Sequence, residues 1–110
     1  MLVGLDVTHP APGSSKKAPS VSSNIASINA RLGQWPADVR IQTGYKEMIE
    51  HLKRMFKSRL LLWQKHNQQQ LPEEVLVYRD GVGETMYDLV LNIELPHIWE
   101  TCMRVKCATT

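Results

Sequence analysis

Two apolar runs in this chain each end on a carboxylate: Leu2-Val-Gly-Leu-Asp6 and Leu76-Val-Tyr-Arg-Asp80. Read as strands of an open α/β sheet, they would deliver both acids to the carboxyl ends of the strands, where ligands of such sheets bind. Adjacent strands run roughly 4.8 Å apart, and two ionised carboxylates about 5 Å apart repel by roughly 3 kcal/mol at an effective dielectric near 20. A shared proton relieves that repulsion, and so does a divalent cation, since carboxylates and substrate phosphate oxygens are the usual ligands of magnesium. Pairs of carboxylate-held ions about 3.5–4 Å apart serve in-line phosphodiester cleavage, one at the attacking water and one at the leaving oxygen. The spacing therefore raises a nuclease. An aspartate just past a strand also serves as a turn former or helix cap, and spacing alone leaves both readings open.

The elements that must carry these acids follow from periodicity and turn chemistry. Met1 to Val7 is apolar at nearly every position, which predicts a central strand covered on both faces. Ala11 to Pro19 combines prolines with Gly13-Ser-Ser15 and Lys16-Lys17 and reads as a loop. Ser20 to Asn29 alternates loosely through Val21, Ile25 and Ile28, and Asp38-Val-Arg-Ile-Gln42 alternates over a shorter span. Two antiparallel strands after the central one is the economical arrangement. From Lys46 to about His66, Ile49, Leu52, Phe56, Leu60 and Trp63 recur in steps of three and four, while Glu47, Glu50, Lys53, Arg54 and Lys57 fall on the other side. That pattern predicts an amphipathic helix, with Glu50 and Arg54 in the order that gives an ion pair worth about 0.3–0.5 kcal/mol. Asn67-Gln-Gln-Gln70 and Pro72 end it, and Val75 to Asp80 becomes a parallel neighbour of the first strand, reached by the helical crossover. Beyond Gly81-Val-Gly83, helical spacing resumes through Met86, Leu89, Val90 and Ile93, and Pro96 is placed at the start of a fresh turn running to about Val105.

Composition bounds the answer. With 110 residues the chain makes one domain at most, which excludes a multidomain enzyme. At 43% hydrophobic and 22% charged it is near the globular average, so it is expected to fold. No run approaches the ~20 apolar residues of a membrane span, and no basic stretch leads into an apolar signal core, so a soluble, unsecreted chain is expected. Cys102 and Cys107 are too few for a disulfide framework and lack a second pair for zinc, which fits a reducing compartment. A net charge of +2 permits a nucleic-acid partner without indicating one.

Longer motifs decide more. Met1-Leu-Val-Gly-Leu-Asp-Val-Thr-His-Pro10, Lys17-Ala-Pro-Ser-Val21, Val39-Arg-Ile-Gln42 and Val77-Tyr-Arg-Asp-Gly-Val82 occur in this order, with a helix of this length as the bridge. Together they resemble the PIWI domain of eukaryotic Argonaute proteins, the slicer module of RNA silencing. The likeness reaches Glu94-Leu95 and Cys102 and so spans nearly the whole chain. It implies an α/β, ribonuclease H-like mixed sheet: three antiparallel strands, a crossover helix, a parallel strand and C-terminal helices. Residues 1–110 are then expected to form one partial PIWI domain that lacks its last part.

Carried over residue by residue, Asp6 in Asp-Val-Thr-His-Pro matches the family's first catalytic aspartate, and Asp80 in Tyr-Arg-Asp-Gly matches the second. The family's mobile catalytic glutamate lies a few residues after a Val-Arg-Val-Gln strand and precedes two aliphatic residues. Val39-Arg-Ile-Gln42, Thr43-Gly-Tyr-Lys46 and Glu47-Met-Ile49 reproduce that pattern, which favours Glu47 over Glu50. Without the resemblance, Glu47 is an ordinary acid in a first helical turn, favoured there by the helix dipole.

The resemblance implies Asp6 and Asp80 as ligands of Mg²⁺ (or Mn²⁺), Glu47 completing the site, and water attacking the scissile phosphate in line. Small guide RNA and target RNA would be the partners, together with silencing proteins and no membrane, in the cytoplasm or the nucleus. Guide pairing would read sequence, leaving the protein to recognise backbone and A-form shape. The parent function implied is guide-directed endonucleolytic cleavage of target RNA, and the chain alone is expected to cleave poorly or not at all. The alternative is a non-catalytic module that binds a guide duplex or a partner.

Departures accompany the matches. Where family members commonly read Gly-Val-Ser-Glu-Gly-Gln-Phe, this chain reads Gly81-Val-Gly-Glu-Thr-Met-Tyr87, so Gly83 and Met86 replace polar side chains. In slicing members a fourth metal-site residue, histidine or aspartate, comes from a strand well beyond this helix, and it is expected to be missing; His97 is on the wrong element to substitute. His9 reads as a turn histidine that fixes the strand end beside Asp6. His51, His66 and His97 read as surface residues, since no HxxxH or HExxH spacing exists. Methionines and tryptophans along the helices read as core, Lys16 and Lys17 as a solvated loop or a phosphate contact, and Arg79 as an RNA contact or the partner of an acid.

Overall fold

The computed structural model describes residues 1–11, 13, 18–29, 31–44, 48–49 and 51–109. Three strands, β1 (Leu2–Thr8), β2 (Ser20–Ala26) and β3 (Ala37–Gln42), form an antiparallel series. Helix α1 (Leu52–His66) then crosses to β4 (Leu76–Arg79), which pairs parallel with β1, so the order across the sheet is β3-β2-β1-β4. A 3₁₀ turn at Glu84–Met86, the single turn α2 (Tyr87–Leu89) and a π segment at Val90–Glu94 lead into α3 (Leu95–Thr109). This is the ribonuclease H-like mixed sheet with C-terminal helices that the motifs imply.

The core lies between one face of the sheet and the helices. Val3, Leu5 and Val7 of β1 meet Leu52, Met55, Phe56 and Leu60 of α1, closed by Ile49 and by Ile98 and Val105 of α3. The predicted apolar stripe of α1 is buried throughout, Trp63 included. β2 contributes mostly polar groups to this side. Ser20 Oγ lies 2.7 Å from His9 Nδ1, Ser22 Oγ donates to the Arg40 carbonyl, and Asn24 is buried with neither amide atom paired among the described residues. β3 is pinned to α1 through Asp38, whose carboxylate accepts from Ser58 Oγ at 3.0 Å and from Arg40 Nε at 3.1 Å.

Four expectations need correction. β1 is central, but only Val3, Leu5 and Val7 face helices; among the described residues its other side, Leu2, Gly4 and Asp6, is not buried. The alternation, hidden in the sequence by Leu2 and Gly4, belongs to a strand covered on one side. That open side continues through Ile25, Val39, Ile41, Leu76 and Tyr78, all exposed.

The second correction is that α1 starts at Leu52 rather than Lys46; Ile49 lies before it, with its N–H donating to Glu94 Oε1 at 3.1 Å. Third, Leu89 and Ile93 are exposed while Glu94 is buried, because the inward stripe runs at steps of four through Met86, Val90, Glu94 and Ile98. Pro96 falls at the second residue of α3, one residue from its expected start, and the helical path runs into it from the π segment. Fourth, Met55 and Trp63 are core, but Trp99 and Met103 of α3 are exposed, since α3 buries only the stripe through Ile98, Thr101 and Val105.

Candidate functional site

The parallel register pairs Leu5 with Arg79, so Asp6 and Asp80 occupy the next step on neighbouring strands. The ladder continues there, with the Asp80 N–H donating to the Leu5 carbonyl at 2.9 Å. Side chains alternate along each strand, which puts both carboxylates on the open face. They line one shallow cavity of about 240 Å³ together with Gly4, Ser23, Ile25 and Tyr78. The strand ends thus bring the two aspartates together, as their motifs imply.

Each carboxylate is oriented by its own chain. Asp6 Oδ1 accepts the Val7 N–H at 2.8 Å, and Asp80 Oδ1 accepts the Gly81 N–H at 2.8 Å. Neither Oδ2 has a hydrogen-bond partner among the described residues. Gly81 has φ +73°, and a Cβ there would stand 2.9 Å from Asp6 Oδ1. The turn after β4 therefore passes directly over the Asp6 carboxylate, and only glycine takes both the backbone conformation and the space. Gly81 belongs to the site, and the Asp-Gly dipeptide is the sequence signal for it.

Arg79 projects to the other face. Its Nε lies 2.8 Å from Glu94 Oε2 and its Nη2 lies 3.3 Å from Oε1, with side-chain exposures of 8% and 2%. A further Arg79 N–H, on Nη1, donates to the Asp80 carbonyl. Of the two readings of Arg79, the acid partner is what the structure contains. The sequence assigns Glu94 no role beyond its place in the likeness; a buried glutamate on a helix stripe is hidden from a reading of apolar spacing.

Glu47 lies outside the described residues, as do Glu50, Lys16 and Lys17. The chain around Glu47 is described on both sides. Gly44 packs so closely on Ala18 that a Cβ would collide with the Ala18 carbonyl oxygen, and Gln42 Nε2 donates to the Met48 carbonyl at 3.1 Å. His9 sits at the end of β1 against Ser20, consistent with a strand-fixing histidine. His97 lines a groove with His51, Lys53 and Arg54 on the helical side, apart from the cavity that holds the aspartates.

The donor set suits a hard cation. Two carboxylates, each with an oxygen left over, match the sparse protein ligation of Mg²⁺, which keeps several waters and takes further oxygens from substrate phosphates. Among the described residues no group of three or more His, Cys, Asp or Glu side chains could hold a metal. No described helix is long and apolar enough to cross a membrane.

Comparison with known proteins agrees with this geometry. The chain is 35% identical over 95 residues to "Protein argonaute 2" of Oryza sativa subsp. japonica, covering 86% of this chain and 9% of that protein. It is 34% identical over 116 residues to "Protein argonaute 9" of Arabidopsis thaliana, covering 93% of this chain and 12% of that protein. It thus spans about a tenth of the length of these relatives. Among solved structures, Kluyveromyces polysporus Argonaute with a guide RNA superposes with a TM-score of 0.85 at 31% identity, covering 96% of this chain and 12% of that one. The MID-PIWI domains of N. crassa QDE-2 superpose with a TM-score of 0.78 at 40% identity, covering 94% of this chain and 30% of that one. The Piwi domain family itself matches over residues 1–109. A paired-aspartate strand end, set in a ribonuclease H-like sheet and matched along nearly its full length, places this chain in the Piwi domain family, as a segment homologous to a small part of eukaryotic Argonaute proteins.

Proposed function

We propose that this chain supplies the paired strand-end carboxylates of a guide-directed endoribonuclease acting in RNA silencing, and that residues 1–110 are part of one PIWI domain. The observation that carries the reading is the placement of Asp6 and Asp80 on one open face, at adjacent parallel strand ends, each with a carboxylate oxygen left for a ligand. Asp6 and Asp80 would hold Mg²⁺ or Mn²⁺, and Glu47 would complete the set. When bound, a pair of such ions neutralises the charge of a phosphodiester and lowers the pKa of an attacking water.

The chain's own contribution is orientation. The Val7 and Gly81 amides hold one oxygen of each aspartate and leave the other without a hydrogen-bond partner among the described residues, at a cavity that both residues line. Gly81 closes over Asp6 and limits how far that carboxylate can swing. The RNA partners are supported by the similarity to an Argonaute solved with a guide RNA. A phosphate backbone laid along the open face would bring its scissile group to the strand ends, with sequence read by base pairing in the guide–target duplex.

The test uses the intact protein loaded with a guide. Mg²⁺- or Mn²⁺-dependent cutting of a paired target is expected, and Asp6→Ala or Asp80→Ala should abolish it while leaving duplex binding within a few-fold of the parent. Calorimetric titration with Mn²⁺ should lose its binding isotherm in the same variants. Cleavage that survives both substitutions overturns the assignment. Salt-sensitive duplex binding with no cleavage at any metal concentration would instead assign the segment to the non-catalytic binding module.

A further inference from the structure

Glu94 is 1% exposed and sits at the end of the five-residue π segment Val90–Glu94. Ile93 is exposed and the carboxylate of Glu94 is buried, on the stripe that half-buried Met86 and Val90 begin. A helix that points an ion into the interior in exchange for an apolar residue is not optimised for packing, and π segments are frequent at functional sites.

The contacts of Glu94 show what the exchange achieves. Oε2 takes Arg79 Nε at 2.8 Å, and Oε1 takes both Arg79 Nη2 at 3.3 Å and the backbone N–H of Ile49 at 3.1 Å. Arg79 immediately precedes Asp80 and donates through Nη1 to the Asp80 carbonyl. Ile49 lies two residues beyond Glu47 and is itself buried in the core. One side chain thus joins the strand end that presents Asp80 to the chain segment that carries Glu47. A buried ion pair is weak grounds for a stability role, since apolar replacements of similar volume are often as stable. Its bidentate geometry does fix position.

We infer that Glu94 is a positioning residue: with Arg79 it sets the Glu47-bearing segment in register with the Asp80 strand end, so that the three carboxylates can act on one phosphate. This rests on the functional reading above, in which Asp6, Asp80 and Glu47 form the site.

The experiment compares Glu94→Gln, Glu94→Ala and the paired apolar replacement Arg79→Met with Glu94→Leu, all in the intact, guide-loaded protein. Two measurements are made on each: the single-turnover cleavage rate at saturating protein, and hydrogen exchange of the peptide covering residues 43–51. Because misplacing a catalytic group by about 1 Å can cost on the order of 100-fold, Glu94→Ala should cleave at least about tenfold more slowly, with target affinity within about twofold of the parent. Glu94→Gln keeps an acceptor for the Ile49 amide and should lose less. In Glu94→Ala, exchange at 48–51 should quicken while β1 and β2 keep their protection. If Glu94→Ala does not fold, the double replacement decides: a native melting temperature with slow cleavage supports the inference. A native cleavage rate in any folded variant lacking the carboxylate, or unchanged exchange at 48–51 in Glu94→Ala or in the double replacement, overturns it. The exchange measurement needs no turnover, so a parent protein in which Asp6→Ala leaves cleavage intact would sink the functional reading while the link from Glu94 to the 48–51 segment is still read separately.

Discussion

Along β1 the side facing the helices carries Val3, Leu5 and Val7, all buried, while the side facing away carries Leu2, Gly4 and Asp6, none of them buried. The same division runs through β4 and the residue after it, where Tyr78 and Asp80 are exposed and Arg79 is turned inward to Glu94. One face is committed to packing and tolerates little change, because close-packed interiors register the loss of a single methylene. The other face makes few contacts within the described chain, so its side chains are available for chemistry at small thermodynamic cost. Since the side-chain period of a strand is two, a slip of one residue would exchange the two roles completely. The parallel ladder from Leu2–Leu76 to Leu5–Arg79 is therefore as much a part of the site as Asp6 and Asp80 are.

Predictions that break or sharpen this contrast fall in order of size. Phe56 is fully buried between sheet and helix, and Phe56→Ala should cost about 3–5 kcal/mol in denaturant unfolding of the intact protein. On the open face, Tyr78→Ala and Val39→Thr should each stay within about 0.5 kcal/mol; a loss there as large as that of Phe56→Ala would show that the open face is packed in the intact protein. Gly81→Ala lies between these, with roughly 1–2 kcal/mol lost to the left-handed backbone. The same variant should weaken Mn²⁺ binding, because the added methyl would press on Asp6 Oδ1. Intact metal binding in Gly81→Ala would show that the Asp6 carboxylate is not confined as the turn suggests.

The smaller effects concern ionisation on the helical side. Glu100 is held below its ordinary value of 4.5, chiefly by its hydrogen bond to Lys53 and then by the charge of that lysine. The folded chain thus takes up this proton less readily than the unfolded one. The contribution is complete above the ordinary carboxylate value and is lost as pH falls through the lowered folded value. Lys53→Ala should flatten that part of the stability–pH curve, slightly, because the pair is exposed. Burial also pushes the Cys102 thiol up, so alkylation by iodoacetamide near neutral pH should be slower than for an exposed cysteine.

Much of this architecture is legible in the residues themselves. The motifs ending in Asp6 and Asp80 put both acids at the ends of neighbouring strands, where the structure has them, and the apolar stripe of α1 marks its buried face residue by residue. The order of strands follows from the need for a long crossover between parallel neighbours. What escapes a reading of the sequence is what depends on contacts distant along the chain. Ile49 keeps to the apolar stripe yet lies before α1, its N–H donating to Glu94, 45 residues away. The one-sided cover of β1 depends on where the helices lie, and Leu2 and Gly4 hide the alternation that would have announced it. The burial of Glu94 has no signature in hydrophobic spacing, and the exposure of Trp99 follows from which stripe of α3, through Ile98, Thr101 and Val105, meets the core.

The widened turn at Val90–Glu94 also bears on chain length. Five residues held by i→i+5 bonds sweep about the arc that four take in an α-helix, so deleting one residue from Val90–Glu94 would let the helix close into regular α geometry while α3 keeps its facing, with Ile98 and Val105 still toward the sheet. A single-codon loss here should therefore be borne by the fold and show itself instead at the Arg79–Glu94 pair, whose placement the segment sets.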